Sequence, residues 1–263
     1  MSVSLGLVLG LGSQDAKSAT VYFEHDDARY LNPQQQNGGA SLVPDDPGPR
    51  AVPLVVFLHG TNPNGNLHLW LGGGGRDLRP VATRLYGNDK IRPFILAAPS
   101  QTRAAKHGSK LWKGFNLDAF VEDVARATDG RATIDRDWVV VMGHSGAGCN
   151  LRGGLTSELL SQGRVLPRSL IAVDPCMDAP MGEAFARRPA RVPLWVMWQS
   201  ARWKREPAAF KRAIDTNRPA ARVDRIEELP AYGPDAHDSI LPLALERAVR
   251  ELFARRERHA GAS

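Results

Sequence analysis

The chain has 263 residues, 43% hydrophobic and 24% charged, enough to bury one large α/β core without requiring a second. Its net charge of +6 sets 34 basic residues against 28 acidic ones. The densest basic clusters, RWKRE at 202–206 and ARRERHA at 254–260, read as a solvated loop and a helix end, so no nucleic-acid partner is expected. Two cysteines, Cys149 and Cys176, are too few for a disulfide-built scaffold and lack the spacing of a metal site.

The apolar run at residues 2–12 has the length of a signal-peptide core, but no Lys or Arg precedes it and no clean Ala-x-Ala site follows. It is too short and glycine-rich to cross a membrane. A cytoplasmic location is favoured over an exported one, and no stable membrane insertion is expected. ATVYF at 19–23 predicts an opening strand. Residues 26–50 hold NPQQQNGG and PDDPGPR and few large apolar side chains, so they are expected to form a surface excursion.

From residue 53 to 58 the chain is continuously apolar, the pattern of a strand buried on both faces. Residues 62–75 are glycine-rich and carry Trp70, which predicts a long loop. Residues 77–86 predict a helix with Pro80 in its first turn, where proline is tolerated, and residues 93–98 another buried strand. After a loop through His107 and Trp112, residues 115–128 place Phe120, Val121, Val124 and Ala127 on one helical face. Strands follow at 138–143, 169–173, 192–198 and 222–229, the last more charged and so expected near an edge. Residues 240–253 predict the closing helix. Strands alternating with helices in this way mean a doubly wound, mostly parallel sheet.

The most informative stretch is WVVVMGHSGAGCN at 138–150. A β-prone run ends at Gly143, Ser145 follows among small residues, and Leu151, Leu155 and Leu159 then recur at helical spacing: strand, sharp turn, helix. Small neighbours are what a serine on such a turn needs, because strand and helix must approach closely. The stretch resembles the nucleophile elbow of the α/β-hydrolases, with Ala147 where the pattern Gly-x-Ser-x-Gly has its second glycine. A phosphate-cradling turn is the alternative, but no Gly-Lys-Ser or Gly-x-Gly-x-x-Gly pattern supports it.

That resemblance implies further roles. His59-Gly60-Thr61 at the end of the 53–58 strand resembles the family's oxyanion loop, which implies that the amides of Thr61 and Gly146 stabilise a tetrahedral oxyanion. A serine hydroxyl also needs a base, and the base an orienting acid. His237, expected in the loop YGPDAHDS between the last strand and last helix, stands where the family carries its histidine. Asp174 directly ends the 169–173 strand, resembling the arrangement of pancreatic-type lipases; Glu206 and Asp178 are the competing acids.

Too little chain separates Pro175 from Pro193 for a cap domain. The fold expected is therefore an α/β-hydrolase type without a large cap, residues 51–263 forming one domain and residues 1–50 a partly irregular extension. Loops carrying Trp70, Trp112, Trp198 and Trp203 are expected to wall an open cleft, the first three as substrate-binding residues. The function implied is hydrolysis of a small-molecule or polymer-attached carboxylic ester, with no cofactor and no metal. A peptidase or amidase using the same triad, and a binding protein that has lost activity, are the alternatives.

Overall fold

A computed structural model describes residues 18–25, 38–88, 90–102, 111–157, 163–188, 192–201, 206–217 and 225–254. The apolar run at 2–12, residues 26–37, His107, Leu159, Trp203, residues 222–224 and the basic tail past Ala254 lie outside them. In chain order the strands are β1 (Ser18–Phe23), β2 (Gly39–Pro44), β3 (Val52–Leu58), β4 (Leu69–Trp70), β5 (Gly73–Asp77), β6 (Ile95–Pro99), β7 (Ile134–His144), β8 (Ser169–Val173), β9 (Leu194–Trp198) and β10 (Arg225–Glu228). The helices are α1 (Arg79–Tyr86), α2 (Leu117–Ala127), α3 (Ala179–Ala186), α4 (Pro207–Asn217) and α5 (Ala236–Leu252).

Eight strands build one sheet in the order β1-β2-β6-β3-β7-β8-β9-β10, and β4 pairs with β5 apart from it. From β6 to β10 all neighbours are parallel, while β2 runs antiparallel to both β1 and β6. Because side chains alternate along a strand, the apolar runs feed two cores. Leu54, Val56, Val139 and Val141 meet Phe120 and Val124 of α2, Phe185 of α3 and Phe210 of α4 on one face. Val55, Phe57, Val140 and Met142 meet Leu85 of α1 and Ile240, Leu245 and Val249 of α5 on the other. Helices on both faces of a mostly parallel sheet are the expected doubly wound architecture, of the α/β-hydrolase type, and no large cap is present among the described residues.

Four expectations are corrected. The long loop expected at 62–75 contains β4 and the start of β5, which pair with each other. Residues 39–44, assigned to a surface excursion, form β2, which is buried throughout and pairs on both edges; its small residues GASLVP carry little hydrophobic signal. The helix expected after Ser145 is replaced among the described residues by two short 3₁₀ turns, Ser145–Gly148 and Gly154–Thr156. Four glycines between 146 and 154 disfavour a helix there, and Leu151 is exposed. Finally, His237 sits not in a loop but in the first turn of α5. Helices α3 and α4 were not foreseen; they pack closely, Gly182 lying against the Phe210 carbonyl and the Phe185 and Phe210 rings meeting edge-on at 6.0 Å.

Candidate active site

The chain leaves β3 to one side to form β6, then returns past it to form β7 on the other. Loops at the C-terminal ends of such strands diverge and leave a crevice. The residues following β3, β7 and β8 and the start of α5 converge there.

Ser145 follows the buried run of β7 directly and has φ of 51°, the left-handed region that non-glycine residues seldom occupy. Its turn is crowded from the β3 side: a Cβ on Gly60 would stand 2.8 Å from the Ser145 Cβ and 3.0 Å from the His144 carbonyl. The departure at Ala147 is absorbed, since its methyl is wholly buried. The glycine that close approach demands lies one residue later, where a Cβ on Gly148 would be 2.8 Å from Pro175. Cys149 and Cys176 are joined in a disulfide with Cα atoms 4.9 Å apart, tying the Ser145 turn to the segment after β8. On the β3 side, a Cβ on Gly146 would lie 3.5 Å from the Thr61 amide nitrogen, so the predicted pair Thr61 and Gly146 are neighbours.

His237 Nε2 lies 2.8 Å from Ser145 Oγ, and His237 Nδ1 is hydrogen-bonded to Asp174 Oδ2. Asp174 is 1% exposed and, like Ser145, has positive φ, 46°. It is pinned twice: its amide donates to the Met197 carbonyl at 2.7 Å, and Gln199 Nε2 donates to its Oδ2 at 2.9 Å. The competing acids lie elsewhere. Asp178 caps α3 by accepting from the Met181 amide, and exposed Glu206 precedes α4 with its amide on the Met177 carbonyl.

Other polar residues hold this frame. Buried His59 donates from Nδ1 to the Gly60 carbonyl and accepts the Gln101 amide at Nε2, and burial lowers its pKa to about 4. His144 donates from Nε2 to the His237 carbonyl at 2.8 Å; burial, followed by the neighbouring His237, lowers its pKa to about 4. Both are neutral at physiological pH. The remaining described histidines are engaged away from Ser145, His25 with Asp123 and His68 with Ser100. Sequence reasoning passed over His144 and Gln199. The available signal was a polar side chain directly at the end of an apolar strand, where a buried polar group must find a partner.

Two of the three predicted ligand-facing tryptophans are corrected. Trp112 is wholly buried and donates its indole N–H to the His59 carbonyl at 2.8 Å. Trp70 is 6% exposed and packs edge-on against the His144 ring, centroids 5.7 Å apart. Trp198, at the end of β9, keeps part of its surface exposed. Among the described residues, His144, His237 and Asp238 bring three ligand atoms within 4.8 Å. His144 Nε2 is on the His237 carbonyl, His237 Nε2 on Ser145 Oγ, and Asp238 Oδ2 pairs with Arg76 at 3.1 Å. A groove of about 480 Å³ lined by Glu122, Arg136, Arg164 and Arg168 contains none of these residues.

No protein-family profile matches the chain, and no curated protein matches it in sequence. Solved structures do match. A thermostable esterase is 19% identical with a TM-score of 0.54; the match covers 91% of this chain, which spans 64% of that protein's length. The S-formylglutathione hydrolase of Staphylococcus aureus is 12% identical with a TM-score of 0.57, covering 92% of this chain and 99% of that one. A ferulic acid esterase from Anaeromyces mucronatus is 12% identical with a TM-score of 0.53, covering 89% of each. At these identities the shared property is the fold.

Proposed function

We propose that this chain, which has the fold of the α/β-hydrolases, is a serine hydrolase that cleaves carboxylic esters, with Ser145 as nucleophile, His237 as base and then acid, and Asp174 as the orienting carboxylate. The observation that carries the reading is the unbroken run from Ser145 Oγ to His237 Nε2 at 2.8 Å and from His237 Nδ1 to the buried Asp174 carboxylate. That order leaves the proton of a neutral imidazole on Nδ1 and the lone pair of Nε2 facing the hydroxyl, the tautomer a general base requires.

Ser145 Oγ attacks the ester carbonyl carbon as its proton moves to His237 Nε2, and the carbonyl π pair moves onto oxygen. The amides of Thr61 and Gly146 donate to that oxyanion, and being fixed they need no reorganisation. Collapse breaks the bond to the alcohol, which leaves with the proton from His237. Water then attacks the acyl-serine with His237 again as base, releasing the acid and restoring the Ser145 hydroxyl. Asp174 stays ionised and stabilises the imidazolium at each stage.

Ester specificity is supported by solved neighbours that are named esterases. Thr61 is exposed and His237 retains 21% of its side-chain surface, which supports an open cleft able to take a small or polymer-attached ester. The test pairs p-nitrophenyl esters with p-nitroanilides of the same acyl groups. Esters should be cleaved with kcat/KM at least about a hundredfold higher; equal or faster cleavage of the anilides, or cleavage of neither, overturns the reading.

A further inference from the structure

We infer that His144 is a positioning residue that fixes His237, and that the β4–β5 ribbon braces it through Trp70. The inference rests on the role proposed for His237. Its basis is a closed circuit of contacts around one side of that ring. His144 directly precedes Ser145 in the chain and donates from Nε2 to the main-chain carbonyl of His237 at 2.8 Å. The two imidazoles lie face to tilted face, centroids 4.7 Å apart. Trp70 closes the far side of His144 at 5.7 Å, and the Arg76 guanidinium covers Trp70 at 5.5 Å. Arg76 then returns to α5 by pairing with Asp238, the residue after His237, at 3.1 Å.

The geometry explains an otherwise unexplained expense of the fold. His68 and Trp70 both hold positive φ, 52° and 73°, a conformation bulky residues adopt only when their surroundings impose it. Here the strained ribbon sets the Trp70 indole perpendicular to the His144 ring. His237 occupies the first turn of α5, and helix ends fray, so a hydrogen bond to its carbonyl from outside the helix adds a hold at that position. One residue thus links nucleophile and base: a shift of the Ser145 turn carries His144, and His144 carries His237 with it. The Oγ to Nε2 distance is held without any contact between His144 and substrate.

The two amide replacements separate positioning from packing. In His144→Gln the amide nitrogen falls near the place of Nε2 and can still reach the His237 carbonyl; in His144→Asn it is too short. Gln is close to histidine in volume and Asn is one methylene smaller, so Tm is measured for both, and Trp70→Phe, which leaves the His144 hydrogen bond in place, checks the brace independently of that size difference. Expected is a roughly ten- to hundredfold loss of kcat in His144→Asn at unchanged KM, the scale of a small misplacement of a reacting group, with His144→Gln within about fivefold of wild type. Trp70→Phe, which keeps an aromatic edge but retreats from His144, should lower kcat about two- to fivefold and serves as the deciding variant if either amide fails to fold. Equal kcat in the Asn and Gln variants, or wild-type kcat in Trp70→Phe when it decides, overturns the brace. Ser145→Ala, run alongside, tells the two readings apart: if it retains turnover the triad fails, whereas its inactivity beside a fully active His144→Asn sinks the brace alone.

Discussion

Replacing Asp174 by Asn removes one charge and leaves side-chain size unchanged, so it isolates what the carboxylate does. Its Oδ2 accepts two donors, His237 Nδ1–H and Gln199 Nε2–H, in a site with 0% side-chain exposure. An asparagine there has two choices. Turning its oxygen to both donors keeps His237 in the useful tautomer but leaves the imidazolium, formed when Ser145 gives up its proton, without a buried counter-charge. Turning its nitrogen there drives the His237 proton to Nε2, which then faces Ser145 Oγ and accepts nothing. Either way turnover should fall by roughly a thousand- to ten-thousandfold, about 4–5.5 kcal/mol on the barrier. KM should barely move, because the Asp174 carboxylate is fully buried and faces His237 and Gln199. The assay is kcat and KM on the best ester, with Tm measured in parallel to show that the fold survives. Glu206→Gln, at an exposed position before α4, should change turnover by less than about tenfold. More than a tenth of wild-type turnover in Asp174→Asn, or a larger loss in Glu206→Gln, refutes the assignment.

Gly60→Ala places a methyl 2.8 Å from the Ser145 Cβ and 3.0 Å from the His144 carbonyl; stability should drop by about 1–3 kcal/mol and kcat by about a hundredfold, and wild-type values of both in melting and turnover assays would show that the turn has slack. The disulfide closes a segment with a sequence separation of 27, which in the chain-entropy account contributes about 3.5 kcal/mol; reduction with thiol capping should shift the urea midpoint accordingly, and thiol titration of the unreduced, unfolded protein should find none. His59 and His144 titrate near pH 4 in the folded protein against an ordinary value of 6.5. The unfolded chain therefore binds more protons between those values, and stability should fall as pH drops from about 6.5 to about 4 and level off below, by on the order of 3 kcal/mol per histidine. Urea midpoints flat across that window would contradict it.

Strands were legible where apolar residues run unbroken, as in PLVVFL and WVVVMG, because burial on both faces leaves no other pattern. Strand β2 was not, since GASLVP is small, short and flanked by turn-formers, and only its two neighbours make it a strand. Helices α3 and α4 were hidden by Pro and Gly inside APMGEAFA and by only two buried apolar residues, Phe210 and Ile214. Over the described residues 145–157 the leucine spacing gives no α-helix, because the backbone cost of four glycines outweighs periodicity. In the site, Ser145, Asp174 and His237 stood out because each ends or begins a recognisable element. Trp70 and Trp112 did not sort correctly, because a tryptophan at a strand end reads alike whether its ring meets a ligand or, as here, a histidine or a buried carbonyl. Gln199 illustrates the same limit: its importance comes from Asp174, a neighbour 25 residues away.

The proposed mechanism requires Ser145 to be an activated nucleophile. The most direct measurement is the rate of fluorophosphonate labelling at pH 7.5, with peptide mapping of the modified residue, for the wild type, Ser145→Ala and His237→Ala. Wild-type protein should carry one adduct, on Ser145. Ser145→Ala should carry none, and His237→Ala should react slower by several orders of magnitude, with the doubly substituted protein no worse than either single one because the groups act as a unit. An adduct on any other residue, or His237→Ala labelling within about tenfold of the wild-type rate, would contradict the mechanism.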